Sequence, residues 1–171
     1  AKQLHALFDR EWEYQMQHDA EWASILGDRR WNDQWNNRSV RAHYQKERHY
    51  EDVLKQLARI RRSELSAEDQ LNYDLFKYIH TQRKERLAMM TYLTPLNHRW
   101  GIQTANELSA ALRFETVKDY EDWIARLTKF PDYVDQTIEL MKHGLIREIL
   151  QPKAVIKRVP RQLEKHIVDD P

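Results

Sequence analysis

The chain has 171 residues, with 28 lysines and arginines against 27 aspartates and glutamates and a net charge of +1. This balance excludes the single-sign surface that recruits nucleic acid or an acidic membrane, so neither is an expected partner. The absence of cysteine excludes disulfides and thiolate zinc sites, and no apolar run is long enough for a transmembrane segment.

Helical signals dominate the whole chain. Only three glycines and five prolines interrupt it, and strands of alternating β-branched residues are missing. We therefore expect an all-α fold, an elongated multi-helix bundle or helical array of about six to eight helices with no sheet. Residues 1–171 are expected to form a single helical domain, because a chain of this length can bury one core.

The first segment predicts a helix that ends at Gly27, a natural C-terminal cap. Its apolar residues recur at helical spacing: Leu4, Phe8, Trp12, Met16, Trp22, Ile25 and Leu26. The next stretch, 28–38, is polar with two tryptophans, which favours a loop anchored by its indole rings.

Capping residues open the next two predicted helices. Ser39 caps a helix that continues to about Leu65 and buries Tyr50, Val53, Leu54, Leu57 and Ile60. Residues 66–69 have capping-box spacing and start a third helix. That helix carries Leu71, Leu75, Tyr78, Ile79 and Leu87, and it should be finished by Thr94 and Pro95.

The second half of the chain predicts shorter helices. A short one covers about 106–114, and residues 116–119 repeat the capping-box spacing before Tyr120, Trp123, Ile124 and Leu127. Pro131 suits the first turn of a helix that continues to about Leu150. Pro152 and Pro160 start two further short helices, the second with Leu163 and Ile167 facing inward.

The loop between Thr94 and Gly101 has the composition most like a ligand-facing loop. It brings together Asn97, His98, Arg99 and Trp100. We take Asn97, His98 and Trp100 as candidate substrate-facing residues. The alternative is a plain helix connection, since the cluster has neither metal-ligand nor catalytic-triad spacing.

No catalytic, cofactor-binding or metal-binding residue can be assigned from motifs in this chain. No His-x-x-x-His pair is present, and His43 with Glu47 or His5 with Asp9 supplies only two ligands. A glycine-rich phosphate loop and a nucleophile elbow are also missing. Tryptophans and tyrosines at helical spacing more often build a core than a cofactor site.

Five segments read in order resemble one bacterial family: LNYDLF (71–76), TPLN (94–97) with Gly101, ETVKDYEDWIARL (115–127), FPDYVDQTIELMKHG (130–144) and PKAVIKRVPRQL (152–163). The first helix leading into LGD (26–28) is also similar to the family's opening. The chain resembles the amino-terminal part of the domain-of-unknown-function 885 proteins, over essentially its whole length.

This resemblance implies a parent much longer than 171 residues, helix-rich and often exported, with members described as lipoproteins. Such proteins resemble zinc metallopeptidases through a His-Glu motif in their carboxy-terminal half. The chain ends before any such segment, so zinc is implied only for the full-length parent, and no ligand or general base carries over to it. The chain would be an amino-terminal fragment that supplies a helical scaffold or cleft wall, with the remainder of its own polypeptide or a peptide substrate as partner.

Two other interpretations stay open. The chain could be an autonomous helical module that binds a partner helix or peptide in an aromatic groove, or a structural spacer. A cut domain would expose an apolar face and self-associate. Export to the periplasm or lipid anchoring is the expected location, with the cytoplasm as the alternative, and the initial Ala1 indicates processing or trimming.

Overall fold

The computed structural model describes residues 1–167, and α-helices dominate this part of the chain, which contains no strand. The longer helices are α1 (Lys2–His18), α3 (Val40–Ala58), α4 (Ala67–Ala88), α6 (Val117–Thr128) and α7 (Phe130–Ile146). The shorter ones are α2 (Ala20–Ile25), α5 (Glu107–Ala111), α8 (Lys153–Ile156) and α9 (Val159–Glu164). The prediction of an all-α fold without a sheet is confirmed.

Three of the helices begin where the capping residues predict. Ser39 accepts a hydrogen bond from the backbone N–H of Ala42, and Ser66 accepts one from that of Asp69. Thr116 and Asp119 form a complete reciprocal capping box at the start of α6. Each cap satisfies backbone donors that the first helical turn leaves without partners.

The first predicted helix is interrupted at Asp19. The backbone of Asp19 leaves helical geometry, and its side chain then accepts a hydrogen bond from the N–H of Trp22. One predicted helix is therefore two, α1 and α2, because this carboxylate caps a new start. The end at Gly27 is confirmed, since this glycine has a φ of 89°.

The main apolar core lies where α1, α3 and α4 meet. Its members are Leu4, Leu7, Leu57, Leu65 and Tyr73, with Phe8, Ile60 and Phe76 packed against them. Helix α3 ends at Ala58, and Leu65 reaches the core after a short 3₁₀ turn, so the predicted helix to Leu65 is too long.

Two apolar stripes face solvent in the described part of the chain. On α4 the stripe comprises Leu71, Leu75, Tyr78 and Ile79, each at least 44% exposed. On α6 it comprises Val117, Tyr120, Ile124 and Leu127. The inward prediction for Ile167 is wrong, because this side chain is 79% exposed beyond the end of α9. Its partner Leu163 lines a groove instead of a closed core.

The segment between α2 and α3 is held against α6 and α7 by Trp35. Its indole N–H donates to the carbonyl of Arg126 at 2.7 Å, and its ring packs on Tyr133 with centroids 4.8 Å apart. Arg126 is fully buried and donates to Ser24 Oγ and to the carbonyl of Trp31, at 2.7 and 2.8 Å. Anchoring of the predicted loop by an indole ring is confirmed for Trp35, whereas Trp31 contributes its backbone carbonyl.

Gly144 lets the segment before the Asn97 loop lie directly on α7. A Cβ at this position would come 2.8 Å from the carbonyl oxygens of Leu93 and Ile149. Both contacts are with backbone atoms, which cannot move aside as a flexible side chain can. A glycine is therefore required for this close approach.

We predict that Trp35→Ala lowers the free energy of unfolding by about 3 kcal/mol, since it removes aromatic packing and the hydrogen bond to α6. Chemical denaturation of the purified chain measures this change. Trp12→Ala is the matched control, because Trp12 is 53% exposed. A loss no larger than that of the control would show that Trp35 does not hold the two segments together.

Candidate binding groove

An apolar groove of about 820 Å³ opens between α6, α7, α9 and the segment that follows the Asn97 loop. Its apolar lining residues are Trp35, Leu96, Ile102, Trp123, Leu127, Phe130, Val134, Ile138, Met141 and Leu163. Pockets of this size with mainly apolar walls are typical of ligand and peptide sites.

Three aromatic side chains form one end of the groove. The ring of Trp35 lies 5.3 Å from that of Phe130 and 6.2 Å from that of Trp123, measured between centroids. Each ring comes from a different element, so tertiary packing holds their relative positions. The arrangement presents rigid aromatic surface with little side-chain entropy to lose on binding.

Three of the polar side chains that line the groove are hydrogen-bonded to backbone carbonyls. Ser109 donates to the carbonyl of Asn106 at 2.7 Å, and Thr137 donates to that of Tyr133 at 2.9 Å. His166 Nε2 lies 2.8 Å from the carbonyl of Gln103, which can only accept, so this nitrogen carries the proton. These groups shape the groove, which suits recognition of apolar surface better than acid–base chemistry.

None of the candidate residues Asn97, His98 and Trp100 lines this groove, although Leu96 and Ile102, their neighbours in the chain, do. The side chain of Asn97 organises the loop itself, accepting from the N–H groups of Arg99 and Trp100. The Trp100 side chain is 54% exposed.

His98 is only partly accessible, and its Nδ1 is buried without a hydrogen-bond partner. Its backbone carbonyl accepts from Gln162, which ties the loop to α9. His98 and Trp100 thus remain predicted contact residues, whereas Asn97 acts on the shape of the loop.

The groove aromatics were not singled out from the sequence as a site. Trp123 and Phe130 recur at ordinary helical spacing, which is the same for a core and for an open groove. Trp35 was recognised as an anchor only. The composition does indicate an aromatic site, because six tryptophans are many for a chain with a mean hydropathy of -0.89.

Residues 21–171 match the family model described as a bacterial protein of unknown function, DUF885. The chain belongs to the DUF885 family. No curated protein and no solved structure matches it. Among the described residues of this DUF885 chain, no helix is long and apolar enough to cross a membrane.

Within residues 1–167 of the DUF885 chain, no three histidine, aspartate or glutamate side chains are arranged to hold a metal ion. His5 instead binds Asp69 at 2.7 Å, and the ring of His43 stacks on Tyr92. Burial lowers the pKa of His43 to about 4, so this ring is neutral at pH 7.

The most buried charge cluster of this DUF885 chain joins α1, α3 and α4. Glu11 is 3% exposed, with its carboxylate oxygens 2.5 Å from His49 Nε2 and 3.1 Å from His80 Nε2. His80 Nδ1 donates to the carbonyl of Phe76 at 2.8 Å.

Opposing effects act on the pKa of Glu11. Burial raises it, but hydrogen bonds and charge from His49 and His80 outweigh burial and lower it from 4.5 to about 2. The carboxylate is therefore ionised at neutral pH. Because its pKa is lowered in the folded state, its contribution to stability is present above about pH 4.5 and is lost as the pH falls toward 2.

We predict that Glu11→Gln lowers the free energy of unfolding by about 3 kcal/mol at pH 7, because it leaves two histidines without their carboxylate. The difference from the wild type should shrink between pH 4.5 and pH 2. Denaturant unfolding at a series of pH values measures it. Glu13→Gln is the control on the same helix and should cost about 1 kcal/mol or less. A constant difference across this pH range would contradict the assignment.

Proposed function

We propose that this chain is a helical scaffold of a larger exported protein with zinc-metallopeptidase-like activity, and that the groove belongs to its cleft wall. The observation that carries the proposal is the amount of apolar side chain that the described residues leave uncovered. Membership of the DUF885 family supports a bacterial protein, and the peptidase-like and exported character rests on the resemblance described above.

The two exposed stripes on α4 and α6 support a covering partner. Each stripe places four apolar side chains on one helix face over two to three turns. Monomeric proteins seldom leave contiguous apolar patches larger than a few hundred Å² exposed. Packing by the remainder of the same polypeptide would cover these faces without a change in the helices.

The groove supports a role next to a substrate. It has an aromatic end and apolar walls that include Leu96 and Ile102, the neighbours of the candidate loop residues, which together suit an extended peptide with apolar side chains. Any zinc would be held by residues outside 1–167, because the resemblance places the His-Glu motif in the carboxy-terminal half of the parent. This chain would then bind and orient, and the hydrolytic chemistry would lie elsewhere in the parent.

The decisive experiment compares the full gene product with the 171-residue chain. Zinc content, measured by atomic spectroscopy, and cleavage of a mixed peptide library should be found in the full product and not in the chain alone. A full product that contains no zinc and cleaves nothing would reject the enzyme part of the proposal.

We predict that the double substitution Leu71→Gln/Leu75→Gln has a small effect on stability in the 171-residue chain and a large one in the full gene product. In the 171-residue chain both leucines are exposed, so the stability should change by about 1 kcal/mol or less and self-association should fall. In the full gene product the same change should cost about 3 kcal/mol or more, because it would bury two polar amides.

Thermal unfolding and sedimentation velocity measure both effects, with Lys77→Gln as the exposed control on α4. Equal, small effects in both contexts would show that nothing in the full product covers this stripe. That result would favour the autonomous module.

We predict that His98→Ala and Trp100→Ala each raise the KM of the full product for peptides about fivefold, with a smaller effect on kcat, if the loop contacts substrate. Trp12→Ala is the control, since it removes an exposed indole remote in sequence from the loop. Unchanged kinetics in both loop variants would remove the loop from the binding site.

The second candidate is an autonomous module that binds a partner helix or peptide in the same groove. The aromatic end formed by Trp35, Trp123 and Phe130 favours it, because such pockets anchor large apolar side chains. Cooperative unfolding of the 171-residue chain as a monomer, together with peptide binding that Trp123→Ala abolishes, would support this function.

A further inference from the structure

A second pocket, of about 280 Å³, lies among α1, α2, α3 and α4. It shares no lining residue with the apolar groove. Its walls differ in character, because they combine two cations, three aromatic rings and one carboxylate. These residues are Tyr14, Asp19, Trp22, Lys46, Tyr50 and Arg83.

The two cations have no ion-pair partner in the described part of the chain. No carboxylate of residues 1–167 lies within 4.0 Å of Lys46 Nζ or of the Arg83 guanidinium. Lys46 donates to the carbonyl of His18 at 3.2 Å, and Arg83 faces the side-chain amide of Gln15. Neutral partners thus position both cations and leave their charges uncompensated at close range.

Burial also bears on the charge of Lys46. It lowers the pKa of Lys46, while Asp19 and Glu21 raise the pKa and the neighbouring cations Arg38 and Arg83 lower it. An anion bound between Lys46 and Arg83 would favour the charged form of the lysine and relieve the repulsion between the cations. The pocket is therefore electrostatically suited to one added negative charge.

Aromatic rings stand next to these cations in fixed positions. The Tyr14 ring stacks between His18 and His49, with centroids 3.9 and 3.3 Å away. Arg83 Cζ lies 5.9 Å from the centre of the Tyr50 ring. Burial raises the pKa of Tyr14 to about 12 and also raises that of Tyr50, so both phenols keep their proton at neutral pH and can donate.

Asp19 limits the charge that the pocket can accept. Its Oδ1 accepts from the N–H of Trp22 and from the side-chain amide of Asn36, so this carboxylate is held in place as a helix cap. The charges of Lys46, Arg83 and Asp19 sum to about +1. A monoanion matches this charge, whereas a dianion such as phosphate would also be repelled by Asp19.

We propose that this pocket binds a small monocarboxylate that carries an aromatic or apolar group. The carboxylate would lie between Lys46 and Arg83, where the planar guanidinium can donate two parallel hydrogen bonds. The apolar group would lie against the rings of Trp22 and Tyr50. This site does not depend on the proposed function, because it shares no residue with the groove.

The test uses the full gene product and N-acetyl-L-phenylalanine as the probe, with binding measured by isothermal titration calorimetry at pH 7. The uncharged N-acetyl-L-phenylalanine amide and inorganic phosphate are titrated in parallel. We expect the acid to bind more tightly than both. Lys46→Met and Arg83→Met should each weaken binding of the acid about tenfold or more, since each removes a charge-assisted hydrogen bond.

Lys55→Met is the matched control, because it removes one exposed positive charge from the same helix as Lys46 and should leave the affinity unchanged. Thermal unfolding verifies that each variant is folded. If Lys46→Met does not fold, the proposal is tested with Arg83→Met and with the comparison of the acid and its amide on the wild-type protein.

Four results would overturn the proposal. The first is no heat from the acid at millimolar concentrations, and the second is equal affinity for the acid and its amide. The third is phosphate binding as tight as that of the acid, which would indicate recognition of charge alone. Binding that responds equally to Lys46→Met and Lys55→Met would place the probe elsewhere in the full product and would also overturn it.

Discussion

The contact between the Trp35 segment and α6 holds the groove together. Arg126 is fully buried, and its guanidinium donates to Ser24 and to the carbonyl of Trp31, while its own carbonyl accepts from Trp35. Burial lowers the pKa of Arg126, against the attraction of Glu21, Asp33 and Asp122, but an arginine stays charged. A buried cation is costly to leave without partners, so the loss of either hydrogen bond of Arg126 would destabilise this contact. This contact therefore fixes the position of Trp35 at the aromatic end of the groove.

Two further polar contacts determine which side of α4 faces inward. Asp69 and His80 of this helix are buried because their partners, His5 and Glu11, lie on α1. Turning the helix to bury Leu71 and Leu75 would break both contacts and leave charged groups without partners. The exposed apolar stripe on α4 is therefore a consequence of the polar core between α1, α3 and α4. A partner could pack on this stripe without any rearrangement of the contacts between α1, α3 and α4.

The chain thus carries two candidate binding surfaces with different chemistry. The groove between α6, α7 and α9 offers aromatic and aliphatic surface, which suits recognition of shape and apolar area. The pocket among the first four helices offers two cations beside aromatic rings, which suits recognition of charge. A scaffold that binds without performing the hydrolytic chemistry is consistent with both.

The sequence by itself determined the fold class and the starts of α3, α4 and α6. The caps at Ser39, Ser66 and Thr116 act within one turn, so neighbouring residues suffice to predict them. The Asn97 loop was found as a candidate for the same local reason. Only the tertiary structure decided which helix faces are buried, that Glu11 meets both His49 and His80, and that Trp35, Trp123 and Phe130 share a groove. These contacts join residues far apart in the chain, and helical spacing is the same whether a face packs in a core, lines a groove or meets solvent.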